Sequence, residues 1–373
     1  MEMEHMETIT PVEPHPTTAA EPAAVESPAE SPIEVVLEAA GTSTEPPCRT
    51  GIEDLIWRAR VSPPKPVITD LLHEKEIAGL HGAPEVFKTI FTLQLAESLA
   101  TAKSFLGVWQ VPKPRRVYFL ETEMSEAALG NRLGKMYADE TPPTGIYFAN
   151  ETQLRKFRKA ADLQHKFSLL RDWLREAKPD VLILDTANPF FRGKESPNDE
   201  TIAGAFFDLL ADLPTKVKLF VRHNHKPRMD DSGGDAASKI RGSGQFGDVP
   251  DLLLELSRKD KRTNEAALSV SKYRHGCKPD DLTIWLDAGT LRLVSVPPVI
   301  HLLQSGSLTR RQLLAKLEAR FGIKQRKADE LVSEQRPYVV ERIGGHERLF
   351  ELDLDAAREA DWYSRLESRP GRR

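Results

Sequence analysis

The chain has 373 residues, 40% hydrophobic and 29% charged, with a formal net charge of −4; this is the profile of a soluble globular protein with room for one large domain and one small one. Cys48 and Cys277 are its two cysteines, too few for a disulfide framework or a four-ligand zinc site, which fits a reducing compartment. No apolar run approaches the roughly 18 residues needed to span a membrane, and the start, MEMEHMETIT, lacks the basic and apolar regions of a signal peptide, so a cytoplasmic location is expected. The net charge itself says little about partners, because acidic residues dominate the first fifty positions while the C-terminal segment is rich in Arg and Lys.

Residues 1–48 are rich in Glu, Pro, Ala, Ser and Thr with almost no aromatics; such a segment cannot bury enough surface to offset chain entropy and is expected to be disordered. The pattern changes from Ile52, and a Pro-rich stretch, Ser62 to Pro66, leads into VITDLLHEKEIAGL. The apolar runs IAGL, VYFL, VLIL, VKLFV, LLLEL, ALSVS and LTIWL then read as strands. The early ones alternate with helical stretches such as TIFTLQLAESLATA and HKFSLLRDWLREA. That alternation predicts an α/β domain over residues 49–296 with a mainly parallel sheet, closed by hairpin-like strands between Asp251 and Val294.

After Pro298 three short helices and a hairpin are expected. Thr309 and Gln312 have capping-box spacing, and Leu313, Leu314, Leu317 and Phe321 fall on one helical face. QRKADELVSEQR is the third helix, and YVVERIGGHERLFEL reads as two strands turning at Gly344-Gly345. The order is that of a winged helix, expected over 297–355, followed by a tail at 356–373.

The strand IAGL runs into GAPEVFKT and then a helix, the context a phosphate-binding P-loop requires. Gly82, Ala83, Pro84, Glu85, Val86, Phe87, Lys88 and Thr89 would wrap the phosphates of ATP. Lys88 would reach the β- and γ-phosphates, the Thr89 hydroxyl would hold Mg²⁺, and backbone N–H groups would cradle the oxygens. Phe87 stands where the pattern has Gly; if that position is left-handed it costs roughly 1–2 kcal/mol, yet its N–H remains available. VLIL ends in Asp185, a carboxylate at the C-terminal end of a buried strand, where open α/β sheets bind ligands and where it would hold Mg²⁺ through water. An ordinary strand-to-helix turn and a capping Asp are the plainer readings.

Taken in order, VYFLETEMSEAALGNRL, VRHNH, SKIRGSGQFGDVPDLLLEL and SKYRHG resemble segments of the RecA-like ATPases of hexameric replicative helicases, of both DnaB type and plasmid RepA type. The resemblance covers roughly Pro66 to Val294 and departs from the pattern after Gly244. It implies that Glu123 polarises the attacking water, with Glu121 the runner-up, and that His223 senses the γ-phosphate. It also implies a ring in which Lys272 and Arg274 reach the nucleotide of the neighbouring subunit. Without the resemblance, Glu123 could simply favour a helix N-terminus, His223 and His225 could be structural or metal-binding, and Lys272 and Arg274 could be solvated.

The resemblance further implies that the loops ANPFFRGKESPNDE and KPRMDDSGGDAASKIRG line a channel for single-stranded DNA, with Arg192, Lys194, Lys226, Arg228, Lys239 and Arg241 as phosphate contacts. Asp230, Asp231 and Asp235 dilute that charge. Lys324, Arg326 and Lys327 on the third C-terminal helix would meet duplex DNA, although Glu330 and Glu334 share that helix and a protein-docking role is open. The expected function is an ATP-hydrolysing helicase or helicase-like replication protein of a plasmid, phage or mobile element. The alternative is a DNA-binding regulator switched by ATP with negligible turnover.

Overall fold

The computed structural model describes residues 50–191, 195–224, 240, 242–258, 263–344, 347–358, 360, 362 and 363. The chain divides into two units, Met1–Trp57 and Arg58–Arg373. In the first, the described residues begin helix α1 (Ile52–Val61), with the Leu55 N–H donating to the Gly51 carbonyl at 3.1 Å. The segment expected to be disordered, 1–48, lies outside the described residues.

The second unit opens with β1 (Pro66–Ile68) and β2 (Leu72–His73), an antiparallel pair. The main run follows: β3 (Ile77–Gly82), α2 (Lys88–Thr101), β4 (Val117–Glu121), α3 (Glu126–Met136), β5 (Ile146–Phe148), α4 (Glu151–Lys159), α5 (Leu163–Ala177), β6 (Val181–Asp185), α6 (Glu200–Ala211) and β7 (Val217–His223). After α7 (Gln245–Asp248) come β8 (Leu252–Ser257), β9 (Glu265–Tyr273), β10 (Leu282–Asp287) and β11 (Arg292–Val294). Among the described residues these strands form one nine-stranded sheet in the order β11-β10-β9-β8-β3-β7-β6-β4-β5. From β8 to β5 the pairing is parallel, and from β9 outward it is antiparallel.

Burial explains the apolar runs. Every residue of β3, β4 and β6 is buried, because a parallel strand covered by helices on both faces has no solvent side. Successive side chains go to opposite faces: Ala78, Leu80, Phe119 and Ile183 join Phe91, Leu95 and Leu99 of α2 in one core. Tyr118, Leu120, Leu182 and Leu184 join Phe167 and Leu170 of α5 and Phe206 of α6 in the other. All seven expected strands are present; β5 and β11, three residues each, were too short to stand out in the sequence.

The C-terminal part runs α8 (Pro298–Leu303), β12 (Leu308–Thr309), α9 (Arg310–Phe321), α10 (Gln325–Glu334), β13 (Val339–Gly344), β14 (Glu347–Leu352) and α11 (Leu354–Ala357). β14 lies between β12 and β13 in a three-stranded antiparallel sheet. Thr309 and Gln312 form the anticipated capping box, and α9 stops at Gly322 with φ of 67°, the left-handed C-cap that glycine takes without penalty. A third core gathers Val299, Ile300, Leu313, Leu317, Phe321 and Phe350, and reaches on to Ala357 and Trp362, past the span expected from sequence. Buried Asp287 at the end of β10 fastens this part to the large sheet. Burial raises the cost of its charge, but hydrogen bonds from His301 and Arg320 outweigh that and hold the carboxyl well below the usual range.

Candidate functional site

Register brings the site residues to one edge. Gly82 lies beside His223 on β7 and beside Leu256 on β8, and Glu121 lies beside Asp185. The C-terminal ends of four parallel strands therefore present Gly82, His223, Asp185 and Glu121 in a row, where a sheet of this kind binds ligands. Gly82 is required there, because a Cβ would run into the Leu256 carbonyl oxygen.

Between β3 and α2 the P-loop turns through two left-handed residues, Glu85 at φ 63° and Phe87 at φ 65°. Phe87 thus occupies the conformation for which the motif keeps glycine, and it is the residue immediately before α2. Its ring is backed by the Arg258 guanidinium, 4.6 Å from the centroid, while Arg258 also donates to the Glu85 carbonyl at 3.2 Å. A cation over an aromatic face is worth about 0.5–1 kcal/mol at an exposed site, which offsets part of the left-handed cost.

Lys88 Nζ donates to the Gly82 and Ala83 carbonyls at 3.0 and 2.6 Å. Burial lowers its pKa to about 8 against the opposing pull of Asp185 and Glu123. Asp185 is almost fully buried. Burial raises its pKa to about 6, although it accepts hydrogen bonds from Thr92, at 2.9 Å, and from Thr89. A buried carboxylate next to the Thr89 hydroxyl and an ammonium suits a hard divalent cation and the triphosphate it accompanies. Thr89 and Asp185 would hold Mg²⁺, while Lys88 and the free N–H groups at the start of α2 would hold the phosphates.

Two glutamates separated by one residue are placed in opposite ways. Glu123 stands half exposed, with its Oε1 accepting from Thr186 Oγ1 at 2.8 Å and lying 3.6 Å from His223 Nε2. The His223 imidazole beside it, with Thr186 and Asn188, takes its pKa down to about 2. Glu121 is buried and points back into the turn, where its Oε1 accepts from the Glu123 and Met124 N–H groups at 2.7 and 3.0 Å. Burial, then the neighbouring Asp185, push its pKa up to about 7. Among the described residues its Oε2 has no hydrogen-bond partner. A cleft lined by Thr122, Glu123, Arg158, Asn188, Pro189 and Phe191 opens beside Glu123.

Lys272 and Arg274 are not part of this edge. Lys272 pairs with Leu253, and Arg274 follows Tyr273, which pairs with Leu252 beside Ala78. Arg274 is thus near the level of Ile77, about 16 Å down the strand from Gly82 at 3.3 Å per residue. There Lys272 donates to the Gly247 and Asp248 carbonyls, and Arg274 binds Asp251 at 2.9 Å and the Asp248 carbonyl at 3.1 Å. Lys324, Arg326 and Lys327 cluster at the start of α10, where Glu330 lies 3.5 Å from Arg326 and 3.6 Å from Lys327. Arg192, Lys194, Lys226, Arg228, Lys239 and Arg241 lie outside the described residues, as does His225.

Sequence reasoning missed Arg258, Thr186 and Asn188. Thr186 and Asn188 follow Asp185 directly, so the strand end itself was a signal. Arg258 carried none, since only the sheet order places β8 beside the P-loop strand.

The phosphate loop on β3, flanked by β7 and β8 and followed by Asp185 two strands away, gives an α/β core with a P-loop at the C-terminal edge of a mainly parallel sheet. Residues 44–229 match the family described as AAA domain. Among solved structures the chain is similar to a KaiC-like protein from the hyperthermophilic archaeon Pyrococcus horikoshii OT3, at 12% identity over 62% of this chain and 94% of that one, with a TM-score of 0.45. It is also similar to the RadB recombinase, at 13% identity over 60% of this chain and 91% of that one, with a TM-score of 0.41. No curated protein matches the sequence. Among the described residues no helix is long and apolar enough to cross a membrane.

Proposed function

We propose that the protein hydrolyses ATP at junctions between subunits of a ring and uses that turnover on DNA, as a helicase or helicase-like replication protein of a plasmid, phage or mobile element. The observation that carries this reading is the joining of Glu123 to His223 and Thr186 on the strand edge that also holds Lys88, Thr89 and Asp185. A nucleotide-binding switch needs the second group of residues but has no use for the first. An ionised carboxylate beside a histidine is the pair needed to orient water and to register the γ-phosphate.

In this reading Glu123 positions the attacking water, His223 senses the γ-phosphate, and Lys272 and Arg274 act on the neighbour's nucleotide. The distance of Arg274 from its own P-loop supports that last role. The C-terminal part would be a winged helix that meets duplex DNA through Lys324, Arg326 and Lys327, and the basic loops after Asp185 and His223 would hold a single strand. The alternative, an ATP-switched regulator, draws on Phe87, whose left-handed backbone strains the phosphate loop.

ATP turnover by the full chain, measured with and without single-stranded DNA and alongside native mass, tests the proposal. Turnover stimulated by DNA in an oligomer is expected, with nucleotide binding abolished in Lys88→Ala. Binding without turnover would leave the regulator as the better reading.

A further inference from the structure

We propose that His73, Glu76 and His275 form a binding site for one divalent transition-metal ion, at the opposite end of the sheet from the P-loop. His73 ends β2, Glu76 lies in the turn before β3, and His275 comes two residues after β9. Topology alone brings these three pieces of chain together. His73 Nδ1, Glu76 Oε1 and His275 Nε2 lie within 4.8 Å of one another, with His73 Nδ1 and Glu76 Oε1 3.2 Å apart. Small side-chain adjustments bring all three to the ~2.0–2.2 Å at which nitrogen and oxygen bind zinc.

The convergence of both rings on one carboxylate points the same way. The Glu76 side chain is only 8% exposed. Its Oε2 is held by the His73 backbone N–H at 2.9 Å. Its Oε1 is met by both rings, with His275 Nε2 in ion-pair contact and His73 Nδ1 3.2 Å away. A buried carboxylate between two imidazoles whose ring centroids are 4.5 Å apart offers the two nitrogens and one oxygen that a single transition-metal ion takes as ligands. An ion shared by the three groups would satisfy them together.

The supporting shell is already built. Glu74 is paired with buried Arg115, the Lys75 N–H donates to the Lys216 carbonyl at 2.6 Å, and the Lys218 N–H donates to the Glu76 carbonyl at 3.3 Å. The Oε2 contact fixes the carboxylate's orientation, as outer-sphere hydrogen bonds do for metal ligands. Two imidazoles and one carboxylate select zinc and its first-row neighbours over Mg²⁺ or Ca²⁺. With three protein ligands, water would complete the coordination. The ion would tie the end of β9 to the turn between β2 and β3, directly beside Arg274.

The experiment is calorimetric titration of the full-length, chelator-treated, nucleotide-free protein with Zn²⁺, with thermal melts in parallel. One ion per chain and a raised melting midpoint are expected. Glu76→Gln and His275→Ala should each weaken binding at least about a hundredfold, beyond the 10–100-fold that loss of an outer-sphere partner typically costs. Glu123→Gln and Cys277→Ser should bind as the wild type does; Cys277 is a free, exposed thiol close to the site. Absence of Zn²⁺ binding, undiminished binding in His275→Ala, or loss of binding in Cys277→Ser or Glu123→Gln would overturn the assignment. Should His275→Ala fail to fold, Co²⁺ added to the wild-type protein decides. Paramagnetically shifted imidazole N–H resonances from two histidines support the site, and their absence refutes it.

Discussion

The two ends of the sheet handle charge in opposite ways. Where β3, β4, β6 and β7 finish, Asp185 and Glu121 are buried carboxyls whose pKa values burial has raised to about 6 and about 7, and Lys88 is an ammonium whose pKa has fallen to about 8. Neither sign is well compensated there, so a ligand carrying both a divalent cation and phosphate gains on both counts. Where β9 finishes, the cations are already engaged, Lys272 with two backbone carbonyls and Arg274 with Asp251. The Arg274 and Asp251 side chains are 51% and 24% exposed, and an ion pair that open to water is worth little and is readily exchanged. In the proposed reading Arg274 would serve as the finger for a neighbouring nucleotide, held in place but cheaply released.

The largest expected effect breaks the comparison at Arg274. Arg274→Ala should leave nucleotide affinity unchanged and lower turnover by about a thousandfold or more, the usual worth of an arginine finger. A Glu123→Gln subunit has the reverse defect, an intact finger and an inert site. Mixing the two inactive proteins should restore part of the turnover, since about a quarter of randomly formed junctions pair an intact site with an intact finger. Wild-type turnover in Arg274→Ala, or a chain that hydrolyses ATP as a monomer, would remove the shared site.

A smaller effect separates the two glutamates. Glu123→Gln should keep nucleotide binding and slow turnover at least about a hundredfold, whereas Glu121→Gln, which retains an oxygen for the Glu123 and Met124 N–H groups, should slow it less than tenfold. Glu121 should show itself in stability instead. Its folded pKa of about 7 lies above the unfolded value near 4.3. The folded state therefore binds the proton more tightly, and this contribution is complete below pH ~4.3 and is lost as pH rises toward 7. Nucleotide-free Glu121→Gln should accordingly melt higher than wild type at pH 8, by a margin that shrinks toward pH 5; a constant margin would mean that Glu121 is not the titrating group. If the hundredfold loss appears in Glu121→Gln, the catalytic role moves two residues along the strand.

How far the sequence could be read follows from the range of the interaction concerned. The buried strands, the P-loop, Asp185 and the Thr309 capping box all depend on neighbours a few residues away, and each was legible as a pattern. The contrast between Glu121 and Glu123 was not, because the burial of Glu121 beside Asp185 and the contacts of Glu123 with His223 and Thr186 arise only through strand pairing. His73, Glu76 and His275 were invisible for the same reason; two hundred positions separate ligands that the sheet sets side by side. Phe87 lies between these cases. The sequence marked it as a departure, and its φ of 65° bears out the left-handed requirement, but the Arg258 contact that makes it tolerable depends on β8 lying next to β3.

That compensation makes Phe87 the site of the smallest expected effect. Phe87→Gly removes the left-handed penalty of roughly 1–2 kcal/mol, and it also removes the ring that Arg258 covers, worth about 0.5–1 kcal/mol, together with packing against the core under α2. It adds the flexibility of a glycine to the unfolded chain, which costs about 0.4–1 kcal/mol. The terms nearly cancel, so the melting midpoint should move by no more than a few degrees and ATP affinity by less than about threefold, since the backbone N–H that faces the phosphates is present in both proteins. Arg258→Ala supplies the matching half of the test, because it removes the compensation and leaves the strain. Measured together as a double-mutant cycle, the two changes should be non-additive, with Arg258→Ala costing less once Phe87 is glycine. Strict additivity would show that Arg258 does not support the loop through the ring. A large gain in turnover for Phe87→Gly would show instead that the strained loop restrains the enzyme, which is what the regulator reading requires.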